Sequence, residues 1–120
     1  MKICVTASSE GLNAPMDSRF ARAPFMVIVD SETGEAETTA NEAVSAGHGA
    51  GTQAAQTVSR LGAEILLTAH CGPKAFEVLA AAKVKVFGIG GGTVAEAVDA
   101  WKAGKLEEME NSDSSAGWAG

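Results

Sequence analysis

Ile65-Leu66-Leu67-Thr68-Ala69-His70-Cys71-Gly72-Pro73-Lys74-Ala75-Phe76 is the stretch from which the fold can be read. Its apolar opening, bounded by a turn, fits a strand covered on both faces. Gly72 frees the backbone at the turn, and Pro73 suits a first helical position, where a missing N–H costs nothing. Phe76, Leu79 and Ala80 then mark the apolar side of a helix at i, i+3, i+4. A helix start carries unpaired N–H groups and partial positive charge, so it favours an anion. His70, Cys71 and Gly72 stand at that point.

Downstream, Val84 to Ile89 reads as another strand, ending in Gly90-Gly91-Gly92. Thr93 with Glu96 forms a capping box, and Val94, Ala97, Val98 and Trp101 repeat with helical period. The glycine run matches neither the dinucleotide fingerprint nor the P-loop, and the P-loop lysine is absent. Gly104 ends this helix, and residues 105–120 form an acidic, then Ser/Gly-rich tail expected to be partly disordered. Upstream, Thr52 to Leu61 carries Ala54, Ala55, Val58 and Leu61 on one face, with Gly62 as its stop.

The first third of the chain is strand-rich. Lys2 to Ala7 is short and β-branched, with Cys4 read as a small buried hydrophobe. Phe25 to Asp30 and Glu35 to Ala40 flank Ser31-Glu32-Thr33-Gly34, a hairpin loop, so these two strands should pair antiparallel. The acid-bearing third strand reads as a sheet edge. Between the first two strands lies Met16-Asp17-Ser18-Arg19-Phe20-Ala21-Arg22-Ala23-Pro24; Lys2, Arg19 and Arg22 are the only cations before Arg60. Two readings of the arginines stay open: surface cations pairing with Asp17 or Glu10, or a guanidinium clamp for an anion. Asn41 to Gly51 is a small-residue loop around His48, whose flanking glycines allow close approach to a ligand.

A 120-residue chain with 46% hydrophobic residues has enough apolar material for one domain, placed at residues 1–104. A net charge of −6 and an isoelectric point near 4.8 argue against nucleic acid, which requires clustered Lys and Arg, and equally against a membrane surface. No secretory segment and no bilayer-length apolar run is read, so a cytoplasmic location is expected. The two cysteines, Cys4 and Cys71, fall in different elements and imply no disulfide framework. The element order predicts an α/β fold: a five-stranded mixed sheet with the later strands parallel and helices as crossovers. Ligands in such sheets collect beyond the carboxyl ends of the parallel strands. There the Ser8 loop, His70-Cys71-Gly72 and Gly90-Gly91-Gly92 converge, with the His48 loop nearby.

The Met16-Asp-Ser-Arg-Phe-Ala-Arg-Ala-Pro-Phe segment, the His48-Gly-Ala-Gly loop, Cys71-Gly-Pro and the Val84-Lys-Val-Phe strand before a capped helix resemble the dinitrogenase iron-molybdenum cofactor biosynthesis family, over nearly the whole chain. The resemblance implies a ribonuclease H-like three-layer fold used without nuclease chemistry. It further implies binding or carriage of an anionic metal-sulfur cluster, of the molybdenum-copper sulfide or a related iron-molybdenum type. The resemblance places Arg19, Phe20, Arg22, His48, Cys71 and Gly72 at the cofactor site, and the residue reading adds Met16, His70, Gly91 and Gly92 as cofactor-binding candidates, with no catalytic residue and no closed metal-ligand set expected. Ala21 replaces the glycine usual in the family's basic segment.

Three functions follow for testing. The first is non-covalent cradling of the cluster by cations and N–H groups, with a protein donor or recipient as partner. The second is a thiol redox or sensor protein using Cys71, whose place at a helix start beside a histidine would activate the sulfur. The third is an interaction module docking through Glu35 to Ala40 or the acidic tail.

Overall fold

The computed structural model describes residues 1–45 and 49–109. His48, and the tail beyond Met109, lie outside the described residues. Among the described residues six strands and three helices follow in the order β1 (Lys2–Ala7), β2 (Phe25–Asp30), β3 (Ala36–Ala40), α1 (Ala50–Arg60), β4 (Ile65–Thr68), α2 (Pro73–Ala81), β5 (Lys85–Gly88), α3 (Val94–Lys102) and β6 (Glu107–Glu108), with a 3-10 turn at Glu42–Ser45 before α1.

The strands form one mixed sheet in the order β3-β2-β1-β4-β5-β6. The quoted stretch behaves as its sequence dictates: β4 is buried along its length, Pro73 opens α2, and β4 pairs in parallel with both β1 and β5. The β2–β3 hairpin is antiparallel, and β3 is an outer strand. Asp30 shapes its turn by accepting the N–H groups of Glu32 and Thr33 at 2.8 and 3.2 Å. The sheet has six strands rather than the expected five. The sixth pairs antiparallel with β5 over only two residues, too short to show a period in sequence. Burial of Met109, whose N–H donates to the Val86 carbonyl at 2.7 Å, fixes that short strand against the sheet.

Side-chain alternation divides the core between the two faces of the sheet. Cys4, Leu66 and Val86 pack against α1 and α2 through Ala54, Val58, Ala75 and Leu79. Ile3, Val5 and Leu67 pack against α3 through Val94, Ala97 and Val98. Of the α2 stripe read from sequence, Leu79 is fully buried and Phe76 partly, while Ala80 is exposed and Ala75 takes its place. Helix α1 begins at Ala50 instead of Thr52, which brings its first turn to the carboxyl end of β4. No helix among the described residues is long and apolar enough to cross a membrane.

Candidate functional site

The sheet's carboxyl edge is roofed by the loop between β1 and β2, and hydrogen bonds explain its path. Thr6, fully buried near the end of β1, donates its hydroxyl to the Asp17 carbonyl at 2.6 Å. That uses its one hydrogen, so the 3.1 Å contact with Thr68 of β4 has Thr68 as donor. The Ser18 carbonyl then accepts the His70 N–H, and Arg19 runs alongside His70. Farther on, buried Asn41 holds the loop: its amide donates to the Ala23 carbonyl at 2.9 Å and, at 3.4 Å, to those of Phe20 and Ala21. Its own oxygen accepts the Ala43 N–H at 3.2 Å. Sequence reading missed Asn41; its position beside a small-residue loop carries no signal of what it will hold.

Beneath this roof opens a pocket of about 620 Å³, inside the ~300–1,000 Å³ range of small-ligand sites. Phe20 and Ala21 form one wall, the first turn of α1 from Gly49 to Thr52 another, and the turn from His70 to Ala75 the third. The two helix starts lie close because both are narrow: a Cβ on Gly51 would stand 3.4 Å from the Ala75 Cβ. Each has a glycine N-cap, Gly49 or Gly72, no capping side chain and no acidic residue in its first turn. First-turn N–H groups have no carbonyl one turn back, so those of Ala50, Gly51, Thr52, Lys74 and Ala75 are the donors this geometry leaves for a guest.

Helix α3 shows the contrary arrangement. Thr93 and Glu96 complete the capping box, while the carbonyls of Ala14 and Leu12 accept the N–H groups of Val94 and Ala95 at 2.9 Å. Its start is therefore satisfied internally. The pair of helix starts suited to an anion is α1 with α2, and Gly91 and Gly92 stand apart from it. Met16 is separated too: it packs on the α3 side of the sheet, and its N–H donates to the Gly92 carbonyl at 2.9 Å. The strand layer divides residues that sequence order alone had allowed to converge.

Of the residues named from sequence, Phe20, His70, Cys71 and Gly72 line the pocket together. Arg19 stands beside His70, but one edge of its guanidinium is committed: Nε donates to Asp17 Oδ1 at 3.0 Å and Nη2 to Oδ2 at 2.9 Å. Asp17 also accepts the Arg19 N–H at 2.9 Å. These bonds, the side-chain ones foremost, hold the Asp17 carboxyl below its ordinary value against the opposing effect of burial. Arg19 thus makes the pairing with Asp17 that the first of the two readings expected. Arg22 is exposed, just past the Ala21 wall. Cys71 is 1% exposed on the pocket floor, and a thiol so covered offers little surface to a dissolved oxidant. Cys4 is fully buried, its thiol pushed up to about 12 by desolvation. Lys74, not singled out in the sequence, is the lysine of the pocket lining. Among the described residues no three His, Cys, Asp or Glu side chains gather to hold a metal ion.

Fold and pocket together define a small α/β protein with helices on both faces of a mixed sheet and an apolar, N–H-rich cradle at the strand carboxyl edge. The chain belongs to the dinitrogenase iron-molybdenum cofactor family, which it matches over residues 1–104. It is similar to the orange protein of Desulfovibrio gigas, solved in its apo form: identity is 40%, the TM-score is 0.90, and 93% of this chain and 95% of that one are covered. A Thermotoga protein of the DUF35 family, provisionally described as NifB, is 38% identical with a TM-score of 0.79, over 89% of this chain and 91% of the other. An uncharacterised protein of Methanocaldococcus jannaschii is 29% identical over 101 residues, 82% of this chain and 86% of that one.

Proposed function

We propose that this protein binds and carries an anionic metal-sulfur cluster, without a catalytic step, in the pocket between α1 and α2. The observation that carries the reading is the convergence of two helix starts, uncapped by side chains and free of acidic first-turn residues, on one apolar pocket. A sulfide-coated cluster is negatively charged yet polarisable and weakly hydrated, so it suits N–H dipoles set among Phe20, Ala21, Pro73 and Ala75. Lys74 adds a full positive charge, Arg19 and Arg22 remain proposed contributors near the pocket, and His48 remains a proposed contributor from the sequence. Membership of a family described by the iron-molybdenum cofactor supports a molybdenum-containing guest. The molybdenum-copper sulfide cluster that the sequence resemblance implies is the first one to try. We also infer the ribonuclease H-like class for the fold, supported by helices on both faces and an antiparallel β2 beside the parallel β1, β4 and β5.

The test is reconstitution of purified protein with tetrathiomolybdate and copper, followed by desalting and a visible spectrum. Charge-transfer bands retained with the protein are expected. Their complete loss on desalting overturns the reading.

A further inference from the structure

All three helices end with a left-handed residue just past the C-cap, the conformation that glycine adopts without a steric penalty. Helices α1 and α3 supply Gly62 at φ 82° and Gly104 at φ 72°. Helix α2 supplies Lys83 at φ 64°, the one non-glycine residue with positive φ among the described residues. Helix α2 has no basic residue in its last turn, where α1 and α3 have Arg60 and Lys102, so Lys83 also places a positive charge at the helix end that favours one. A strained residue persists where its side chain has other work.

The side chain of Lys83 borders a second pocket, of about 310 Å³, at the amino edge of β4 and β5 and thus at the opposite end of the sheet from the cluster cradle. Lys85 lines it with Lys83, Glu64 contributes its single carboxylate, and Met1, Phe87 and Trp101 supply apolar surface. Phe87 and Trp101 meet edge to face with ring centroids 6.3 Å apart, a firm floor for an inserted side chain. Among the described residues neither lysine forms an ion pair. In a chain of net charge −6, a groove of net positive charge over aromatic carbon is the reverse of the general surface.

We propose that this groove docks an acidic segment of another protein, with carboxylates on Lys83 and Lys85 and an apolar residue against Phe87 and Trp101. Its position leaves the cluster pocket open while a partner is bound, and the inference stands whether or not the pocket holds a cluster.

The probe is a blocked synthetic peptide of glutamate pairs separated by leucines, with its glutamine counterpart as control, titrated into the isotopically labelled full chain and followed by amide and indole NMR shifts. The expected result is a response centred on Lys83, Lys85, Phe87 and the Trp101 indole for the glutamate peptide alone. Lys83→Gly/Lys85→Gln should weaken it about fivefold to tenfold, as loss of two rim charges implies. Lys83→Gly alone should raise the thermal midpoint by relieving the left-handed backbone, so the loss of binding is not a folding defect. Equal binding of the glutamine peptide, shifts centred elsewhere, an unchanged double variant or a lowered midpoint for Lys83→Gly would each overturn the proposal. An oligonucleotide binding more tightly than the peptide would reassign the groove to nucleic acid, and self-association lost in the double variant would reassign it to a second copy.

Discussion

Asp17 and Arg19 form a pair whose consequence is readable in acid. Asp17 is held below its ordinary value chiefly by the Arg19 side-chain hydrogen bonds, so the unfolded chain takes up its proton at higher pH than the native one. Its contribution is therefore complete above the ordinary Asp value of about 3.9 and is lost as pH falls through the lower native value. Urea unfolding followed at about pH 6 and about pH 3 should show a larger loss for wild type than for Asp17→Asn, which has no such carboxylate to titrate. Asp30, lowered by the N–H groups of Glu32 and Thr33, contributes the same background to both proteins. Lys74 gives the second residue-scale expectation. With one edge of Arg19 engaged by Asp17, the lysine in the pocket lining carries more of the attraction for an anion. Lys74→Gln should weaken cluster retention by about tenfold, the equivalent of ~1.4 kcal/mol. Arg60→Gln, at the far end of α1, should leave retention unchanged, and titration of the cluster at fixed ionic strength compares them.

At the scale of elements, the contrast between helix starts sets stability against binding. Helix α3 is closed by its capping box and by loop carbonyls, whereas α1 and α2 leave their first-turn donors to the pocket. Gly72 sits at φ −70° and ψ 167°, a conformation any residue adopts, and a Cβ added there meets nothing within 4 Å. Gly72→Asp should therefore cap α2, stabilising the fold by roughly 0.3–1 kcal/mol through the cap and the dipole. The same carboxylate would occupy the donors and oppose an anion. We expect a slightly raised thermal midpoint together with loss of the retained visible bands, and a variant that keeps both wild-type values would show that the α2 start is not part of the cradle.

For the whole molecule, the decisive quantity is a net charge of −6 spread over a body 34 × 30 × 23 Å. At low salt the screening length is about 30 Å, so the entire surface repels an approaching polyanion; near 0.15 M it is about 8 Å and only local groups are felt. Association of the cluster should therefore accelerate as salt rises across that range, while retention, set by close N–H groups and Lys74, falls only modestly. Stopped-flow absorbance during loading measures the first quantity and desalting the second. Rates that fall steeply with salt would mean that long-range attraction governs capture, contrary to the charge balance.

Sequence alone determined those parts of the protein whose causes are local. The run from Ile65 to Phe76 is strand, glycine turn and proline-started helix because each preference acts within a few residues. Thr93 with Glu96 makes a capping box wherever it begins a helix. The β2–β3 hairpin is likewise closed within its own turn. Tertiary structure decided what depends on distance and on sides. Met16 and Gly92 were plausible companions of His70 until the sheet placed Met16 on the α3 face and the pocket on the α1/α2 face. The capping box at the α3 start is local, but the carbonyls of Leu12 and Ala14 that take its remaining N–H groups come from a distant loop. Asn41, Lys74 and β6 carry no periodic or motif signal, because their roles arise only when separate segments meet. A residue's helix or strand preference is set by its own backbone and near neighbours, but the face it shares, and the donors left open for a guest, are set by which elements pack against it.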